Sequence, residues 1–192
     1  MDIKLLHTVW LLRHGQQSLE RPKPLGGYLT ELGRQQAELI SQRMAEYPLT
    51  RIVASTLRRA AETAQIVAAR HPHIKIEYSE DLWECVPSLP PGQETFFADV
   101  TREHATACRA QLDRVFDRYF RDDERGTTLL VTHGNVTRYL LCRVLDLPVD
   151  AYARFDLFNC SLERVDWKTV LGQQVTGFND VGHLLSEMWT YG

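Results

Sequence analysis

Short runs of branched apolar residues alternate along this chain with longer segments of helical periodicity. Runs of this length and composition are typical of buried strands, and they fall at residues 8–12, 51–54, 74–78 and 128–132. A β-α-β-α order predicts a mainly parallel sheet with helices on both faces. The alternation therefore places the chain in the α/β class.

Apolar residues spaced three or four positions apart mark the helical segments. Thr30 precedes the first stripe and is its expected N-cap, and Ser55 is the candidate N-cap of the second. The fourth segment stops before Pro148, which cannot continue a helix. The four helices are expected around residues 32–44, 57–67, 95–121 and 135–145.

Two further strand-like runs, residues 160–166 and 174–178, are joined around Gly172. This spacing predicts a hairpin that adds antiparallel strands at one edge of the sheet. We find no internal repeat, low-complexity stretch or linker that would divide the chain. We therefore expect a single domain over residues 1–192.

Composition and charge exclude several classes of function. The formal net charge is -3 and the sequence pI about 6.2, whereas nucleic-acid binders normally present a basic face. There is no run of Lys or Arg to suit an anionic membrane surface. The apolar run at 9–12 is far too short to span a bilayer or to act as a signal core. We therefore expect no nucleic-acid or membrane partner and a cytoplasmic location.

The cysteine spacing argues against a metal or disulfide framework. No Cys-x-x-Cys pair is present, and the cysteines lie far apart in the sequence. We therefore expect free thiols at all four positions: Cys85, Cys108, Cys142 and Cys160.

Charged and proton-transferring residues follow three of the predicted strands at the point where each strand ends. In an open parallel sheet, ligands bind outside the carboxyl ends of the strands, so residues there are candidates for a site independently of any motif. The sequence therefore predicts two histidines and at least two arginines on one rim. The three strand ends carry Arg13, His14 and Gly15; Ser55, Arg58 and Arg59; and His133, Gly134 and Asn135.

These residue types suit a phosphate ligand. Arginine binds phosphate oxygens two at a time, and histidine titrates close to neutral pH, so it can attack or transfer a proton. Glycine lets backbone N–H groups approach an oxyanion, and the start of a helix favours an anion. Taken singly, each feature also fits a structural role, with His133 in a core or cap and one of Arg58 and Arg59 on a solvated helix face. Their convergence on one rim favours a phosphate site.

The chain also resembles the histidine phosphatase superfamily, which is often named after the cofactor-dependent phosphoglycerate mutases. Within it, residues 131–145 look most like the mitochondrial serine/threonine protein phosphatase branch. We find no counterpart of that branch's membrane-anchoring N-terminal extension and keep the cytoplasmic expectation. The segments that carry the resemblance are L-L-R-H-G at 11–15, L-T-E-L-G-R-Q-Q-A at 29–37, V-A-S-T-L-R-R-A-A-E-T-A at 53–64, L-W-E at 82–84, L-V-T-H-G-N at 130–135 and G-F-N-D-V-G-H-L at 177–184.

Carried over position by position, the resemblance implies roles for five residues. His14 is the expected nucleophile, and Arg13, Arg59 and His133 are expected to bind the phosphoryl oxygens. Glu84 is the expected general acid, which requires a raised pKa. A nucleophilic His14 must be neutral, with its second ring nitrogen bonded to an acceptor such as a backbone carbonyl.

The substrate-binding loop departs from the family pattern. Gln17 stands where the family usually has a small hydroxyl residue, and Glu20 stands where many mutases have Asn. Gln17 and Gly134 are further expected substrate-binding positions, and both departures bear on specificity. Residues 85–92, with prolines at 87, 90 and 91, cannot form a regular helix and are expected to be a surface loop bordering the site.

Together these features predict a phosphomonoester hydrolase without metal or cofactor that forms a phosphohistidine at His14, with phosphoserine or phosphothreonine proteins as substrates. The chemistry leaves open a small-metabolite phosphatase or a mutase-like enzyme, and also a catalytically silent module that binds phosphorylated ligands. A metal site built on His7, His14 and His133 is disfavoured, because no His, Asp or Glu pairs stand at ligand spacing. The sequence leaves the oligomeric state, including a homodimer, undetermined.

Overall fold

The computed structural model describes residues 2–18, 27–90, 92, 99–121 and 125–191. Four helices and six strands lie in these ranges, close to the expected positions. The strands are β1 (Leu5–Arg13), β2 (Arg51–Ser55), β3 (Ile76–Ser79), β4 (Gly126–Thr132), β5 (Leu162–Lys168) and β6 (Gly172–Asp180). The helices are α1 (Glu31–Met44), α2 (Arg58–Ala68), α3 (Arg102–Tyr119) and α4 (Gly134–Val144).

The strands form one sheet in the order β3-β2-β4-β1-β5-β6. The pairs β3–β2, β2–β4 and β4–β1 are parallel, whereas β5 pairs antiparallel with both β1 and β6. This confirms the mixed α/β fold, with a mostly parallel sheet and an antiparallel hairpin at one edge. Because β1, β2 and β4 are adjacent and parallel, their carboxyl ends meet at one rim.

Side chains that alternate along each strand supply two separate hydrophobic cores, as the pleat requires. Trp10 and Leu12 of β1 pack in the core that buries α1 and α2. Val9 and Leu11 pack in the core that buries α3 and α4. Helices therefore cover both faces of the parallel strands, which explains why β1 is buried almost throughout.

The helix starts differ from the expectations in two places. Thr30 caps α1 as expected, its hydroxyl accepting from the Gly33 N–H at 2.9 Å. The N-cap of α2 is Leu57, and the prediction of Ser55 was wrong, because Ser55 is the last residue of β2. The third helix begins only after Thr101, which forms a reciprocal capping box with His104.

Some expectations concern residues outside the described ranges. These are the start of the predicted third helix at 95–98, Glu20 on the substrate-binding loop and Pro91. Within the described residues, no helix is both long and apolar enough to cross a membrane.

Candidate active site

The ends of β1 and β4 set the two histidines side by side. Arg13 and Thr132 are partners in the parallel register, so the residues that follow them leave the sheet together. The His14 N–H donates to the Thr132 carbonyl at 3.0 Å, and the ring centroids of His14 and His133 lie 5.1 Å apart. Both side chains are buried.

Each nitrogen of the His14 ring has a defined partner. Nδ1 lies 2.7 Å from the Gly15 carbonyl oxygen, which can only accept, so Nδ1 carries the hydrogen. Nε2 accepts from Arg59 Nε at 3.0 Å and therefore carries the lone pair. This is the tautomer that a nucleophilic Nε2 requires.

Burial is the main cause of a strongly lowered pKa at His14, and the positive charges of Arg59 and Arg13 lower it further. The hydrogen bond to the Gly15 carbonyl acts in the opposite direction but is the smaller effect. The ring is therefore neutral at neutral pH.

Arg59 and Arg58, although adjacent, face different surroundings. Arg59 is 7% exposed and contacts His14, because it points inward from the first turn of α2. The Arg58 side chain is 53% exposed and pairs with Glu62 one turn along the helix, at 2.6 Å. The structure thus brings Arg59, and not Arg58, to the histidines.

Arg13 and His133 complete a group of four buried cationic or imidazole side chains. Arg13 is anchored by a hydrogen bond from Nη1 to the Leu157 carbonyl, and its guanidinium packs 3.6 Å from where a Cβ on Gly134 would lie. His133 directly precedes α4. Its pKa is well below the usual value, mainly because the ring is buried and further because His14 and the two arginines lie nearby. We call Arg13, His14, Arg59 and His133 the phosphate cradle, after the ligand that the sequence predicts.

Glu84 lies beside the cradle at the start of α4. Its Oε1 accepts from the backbone N–H of Asn135 at 3.1 Å. Burial raises the pKa of Glu84, and this outweighs the opposing effects of Arg13, Arg59 and the Asn135 hydrogen bond. A carboxyl group with this environment is suited to hold a proton and to give it to a leaving group.

A disulfide holds the chain next to Glu84. Cys85 is bonded to Cys108 of α3, so the expectation of four free thiols was wrong for these two residues. Cys142 and Cys160 are free and buried. Spacing in the sequence could not reveal the pair, because the irregular chain after Glu84 turns back onto α3.

The segment after Glu84 is also more buried than expected. Residues 84–90 have no regular structure, as expected, but Pro87, Ser88 and Pro90 are buried instead of exposed. Arg109 donates to the Pro87 carbonyl at 2.9 Å, and the Tyr152 hydroxyl donates to the Ser88 carbonyl, also at 2.9 Å. The prediction of a surface loop was therefore wrong for these buried residues. We call residues 83–90, which include Glu84, the acid segment.

The loop after His14 packs tightly against α1. A Cβ on Gly15 would lie 2.4 Å from the Gly33 carbonyl oxygen, so only glycine fits there. Gln17 forms an isolated antiparallel bridge with Leu29 and is partly buried. Gly134 is buried as the first residue of α4, against Arg13.

Sequence reasoning missed several residues that support the site. Asn159 Nδ2 donates to the His14 carbonyl at 3.2 Å, and the Ser55 hydroxyl lies 2.9 Å from His133 Nε2. Arg138 of α4 donates to the Asn135 side chain at 3.3 Å, and its charge lowers the pKa of both Arg13 and Glu84. Asn159 is far in sequence from its partner, so no local signal identifies it. The end of the predicted strand places Ser55 at the rim but does not indicate its contact with His133. Arg138 lies within residues 131–145, which carry part of the resemblance, but the resemblance implies no role for it.

The arrangement presents a neutral imidazole lone pair in contact with the Arg59 guanidinium and near that of Arg13, with the Glu84 carboxyl group beside them. Such a site can bind a phosphoryl group, accept it on nitrogen and protonate the oxygen that leaves. Among the residues that the structure describes, no three His, Cys, Asp or Glu side chains are grouped to hold a metal ion.

Comparison with known proteins gives a family match over most of the chain. The model of the histidine phosphatase superfamily (branch 1) matches residues 9–180. Among solved structures, a mutant phosphoserine phosphatase from Entamoeba histolytica in complex with phosphoserine superposes with a TM-score of 0.70. It is 20% identical, and the match covers 94% of this chain and 100% of that one. That similarity supports the fold.

Two curated relatives are named serine/threonine-protein phosphatase Pgam5, mitochondrial. The Caenorhabditis briggsae protein is 33% identical over 185 residues, covering 92% of this chain and 64% of the relative. The Xenopus laevis protein is 33% identical over 168 residues, covering 83% of this chain and 60% of the relative. The chain thus spans less than two thirds of the length of these relatives. Their names place them in mitochondria, which overturns the cytoplasmic location expected from the sequence.

Proposed function

Because this chain belongs to the histidine phosphatase superfamily (branch 1), we propose that it is a metal-independent phosphomonoester hydrolase in which His14 carries the phosphoryl group. Residues 1–192 would form one catalytic domain of this family. The observation that carries the proposal is the bonding of His14: Nδ1 on the Gly15 carbonyl at 2.7 Å leaves the Nε2 lone pair directed at the Arg59 guanidinium, 3.0 Å away.

In the first step, His14 Nε2 attacks phosphorus while the ester P–O bond breaks. The leaving oxygen takes the proton of Glu84, so an alcohol departs and Glu84 becomes a carboxylate. Arg13, Arg59 and His133 bind the phosphoryl oxygens, whose charge must be stabilised in the transition state. The arginines supply the positive charge that a metal ion supplies in other phosphoryl-transfer enzymes.

In the second step, the Glu84 carboxylate takes a proton from water as the water oxygen attacks the phosphohistidine. The P–N bond breaks, its electron pair returns to Nε2, and inorganic phosphate leaves. Glu84 is then protonated and His14 neutral, as at the start. The lowered pKa of His14 and the raised pKa of Glu84 both support these starting forms.

For the substrate, we propose phosphoserine and phosphothreonine side chains in proteins. Support comes from the names of the relatives, which are 33% identical to this chain. Further support comes from the resemblance of residues 131–145 to the serine/threonine protein phosphatase branch. This stretch contains Asn135, whose backbone N–H donates to Glu84.

The test measures kcat/KM for phosphoserine and phosphothreonine peptides against sugar phosphates, nucleotides and phosphoglycerates, with His14→Ala as the inactive control. We expect the best peptide to exceed every small metabolite. A small metabolite that is hydrolysed tenfold better than the best peptide, a transition-state preference of about 1.4 kcal/mol, would refute the protein substrate and leave the chemistry intact. Absence of turnover of any phosphomonoester would refute the hydrolase itself.

A further inference from the structure

Ser55 is a buried serine at the rim whose hydroxyl touches the phosphate cradle. It is the last residue of β2, and its relative exposure is 0%. Its Oγ accepts from the Leu57 N–H at 3.2 Å and lies 2.9 Å from Nε2 of His133. Ser55 therefore contacts a cradle histidine from the side of the sheet.

The hydrogen of the Ser55 hydroxyl has one available acceptor. A buried hydroxyl that leaves its hydrogen unpaired loses the free energy of that bond, so the hydrogen points to an acceptor wherever one is in reach. Over residues 2–18, 27–90, 92, 99–121 and 125–191, His133 Nε2 is the group in hydrogen-bond contact with Oγ besides the Leu57 N–H. Since Leu57 N–H can only donate, Nε2 must be the acceptor.

The other ring nitrogen of His133 has no such partner. Nδ1 is buried and makes no hydrogen bond within the described part of the chain, and the side chain does not cap α4. With Nε2 accepting, the hydrogen of the neutral ring lies on Nδ1. The ring packs edge-on against His14 at 5.1 Å, beside the cradle arginines. The ring that carries this free N–H thus lies next to the histidine that would receive the phosphoryl group.

The opposite tautomer would leave two buried groups unpaired. If Nε2 carried the hydrogen, it would donate to Ser55, and the Ser55 hydroxyl hydrogen would have no acceptor among the described residues. The ring would then have a lone pair, and no N–H, to offer the phosphoryl oxygens, which are themselves negative. Only the tautomer with hydrogen on Nδ1 satisfies Leu57, Ser55 and an anionic ligand together.

We propose that Ser55 is a positioning residue that holds His133 in the Nδ1–H tautomer, so that His133 donates a hydrogen bond to a phosphoryl oxygen. The inference rests on the proposed function for its catalytic consequence. Ser55 acts through His133 and itself contacts neither the substrate nor the reacting nitrogen of His14.

The direct test is long-range ¹H–¹⁵N NMR of the histidine rings in wild type, with His133 assigned by comparison with a His133→Gln variant. The nitrogen that bears hydrogen and the one that bears a lone pair resonate far apart, so the tautomer is read without any assay of activity. We expect the hydrogen on Nδ1 in wild type and a mixture of tautomers in Ser55→Ala. Hydrogen on Nε2 in wild type would overturn the inference.

The kinetic test uses p-nitrophenyl phosphate and three variants. Ser55→Ala should lower kcat/KM about tenfold, and Ser55→Thr, which keeps the hydroxyl, should recover most of the loss. Ser41→Ala is the matched control, because Ser41 is equally buried but donates to the Ile66 carbonyl at 3.1 Å, away from the cradle. It should lose stability and keep its kcat/KM. An equal loss of kcat/KM in Ser55→Ala and Ser41→Ala would reduce Ser55 to a structural role.

The two proposals fail in different ways. If wild type hydrolyses no phosphomonoester yet shows hydrogen on Nδ1 of His133, and Ser55→Ala shows a mixture of tautomers, the hydrolase is refuted and the assignment of the tautomer to Ser55 stands. If wild type is active and shows hydrogen on Nε2, the hydrolase stands and the role of Ser55 is refuted.

Discussion

The phosphate cradle and the acid segment lie side by side, but the chain holds them by different means. Three of the cradle residues, Arg13, His14 and His133, are the last residue of a strand or the first after it, and Arg59 is in the first turn of a helix. The acid segment has no regular structure and is held by the Cys85–Cys108 disulfide and by side-chain contacts to the Pro87 and Ser88 carbonyls.

This difference separates what the fold fixes from what local contacts fix. The positions of the cradle follow from the parallel register of β1, β2 and β4, which is buried in two hydrophobic cores. The position of Glu84 depends on the Asn135 N–H and on the chain around it. Substitutions in the cradle should therefore abolish chemistry without loosening the structure, whereas changes in the acid segment should affect stability and the proton-transfer step.

The largest effect is expected for His14→Ala. Turnover of p-nitrophenyl phosphate should fall to the background level, because the atom that accepts the phosphoryl group is removed. The far-UV circular dichroism and the Tm should stay close to wild type, because the backbone contacts of residue 14 remain. A variant that keeps more than a few per cent of the activity would show that another residue is the nucleophile.

The next effect distinguishes the adjacent arginines. Arg59→Ala should lower kcat/KM roughly a hundredfold, about 3 kcal/mol, as expected for a charged contact made in the transition state. Arg58→Ala, the matched control, should lower it less than about threefold, because the exposed Arg58–Glu62 pair contributes little. The reverse ranking would show that the cradle is assigned to the wrong side of α2.

A smaller and pH-dependent effect is expected for Glu84→Gln. The acid form of Glu84 exists below its pKa, so a raised pKa keeps kcat/KM high toward neutral pH, and activity falls as the pH rises through that value. His14 must be neutral, which requires a pH above its lowered pKa. The fall of activity on the acid side of the pH profile is therefore expected only at low pH. Glu84→Gln should remove the fall at high pH.

The leaving group provides the control for this assignment. Glu84→Gln should slow the hydrolysis of phosphoserine peptides, whose alkoxide needs a proton, much more than that of p-nitrophenyl phosphate, whose phenolate leaves unaided. Equal losses on both substrates, with the pH profile unchanged, would remove Glu84 from the role of general acid.

The smallest effect on activity is expected for the disulfide. Cys85→Ser should lower the free energy of unfolding by about 3 kcal/mol, because the bond closes a loop between residues 23 positions apart. Its kcat/KM should fall less than that of Glu84→Gln, since the Asn135 contact remains. A reductant should lower the Tm of wild type to that of Cys85→Ser and leave the variant unchanged. A reductant-insensitive wild type would argue that the bond does not form in solution.

The cradle could be predicted from the sequence better than the acid segment, because regular structure holds the first and irregular chain forms the second. The cradle residues were found because strand patterns locate strand ends, and parallel strands end at a common rim. Adjacent helical residues point about 100° apart, so only one of Arg58 and Arg59 can face the rim, and the resemblance to the family implies that it is Arg59. The Cys85–Cys108 bond and the burial of Pro87 depend on how an irregular chain folds back, which no periodicity encodes. A serine before a helix is often its N-cap, so the sequence suggests that role for Ser55, whereas in the structure its hydroxyl contacts His133.

The most direct test of the account is to trap the phosphoenzyme. Wild type mixed with a ³²P-labelled phosphomonoester and quenched within one turnover should carry label on His14, and the label should be lost in acid and retained in alkali, as a P–N bond requires. His14→Ala should carry none. Label that survives acid, or that persists in His14→Ala, would contradict a phosphohistidine at His14 and with it the central claim.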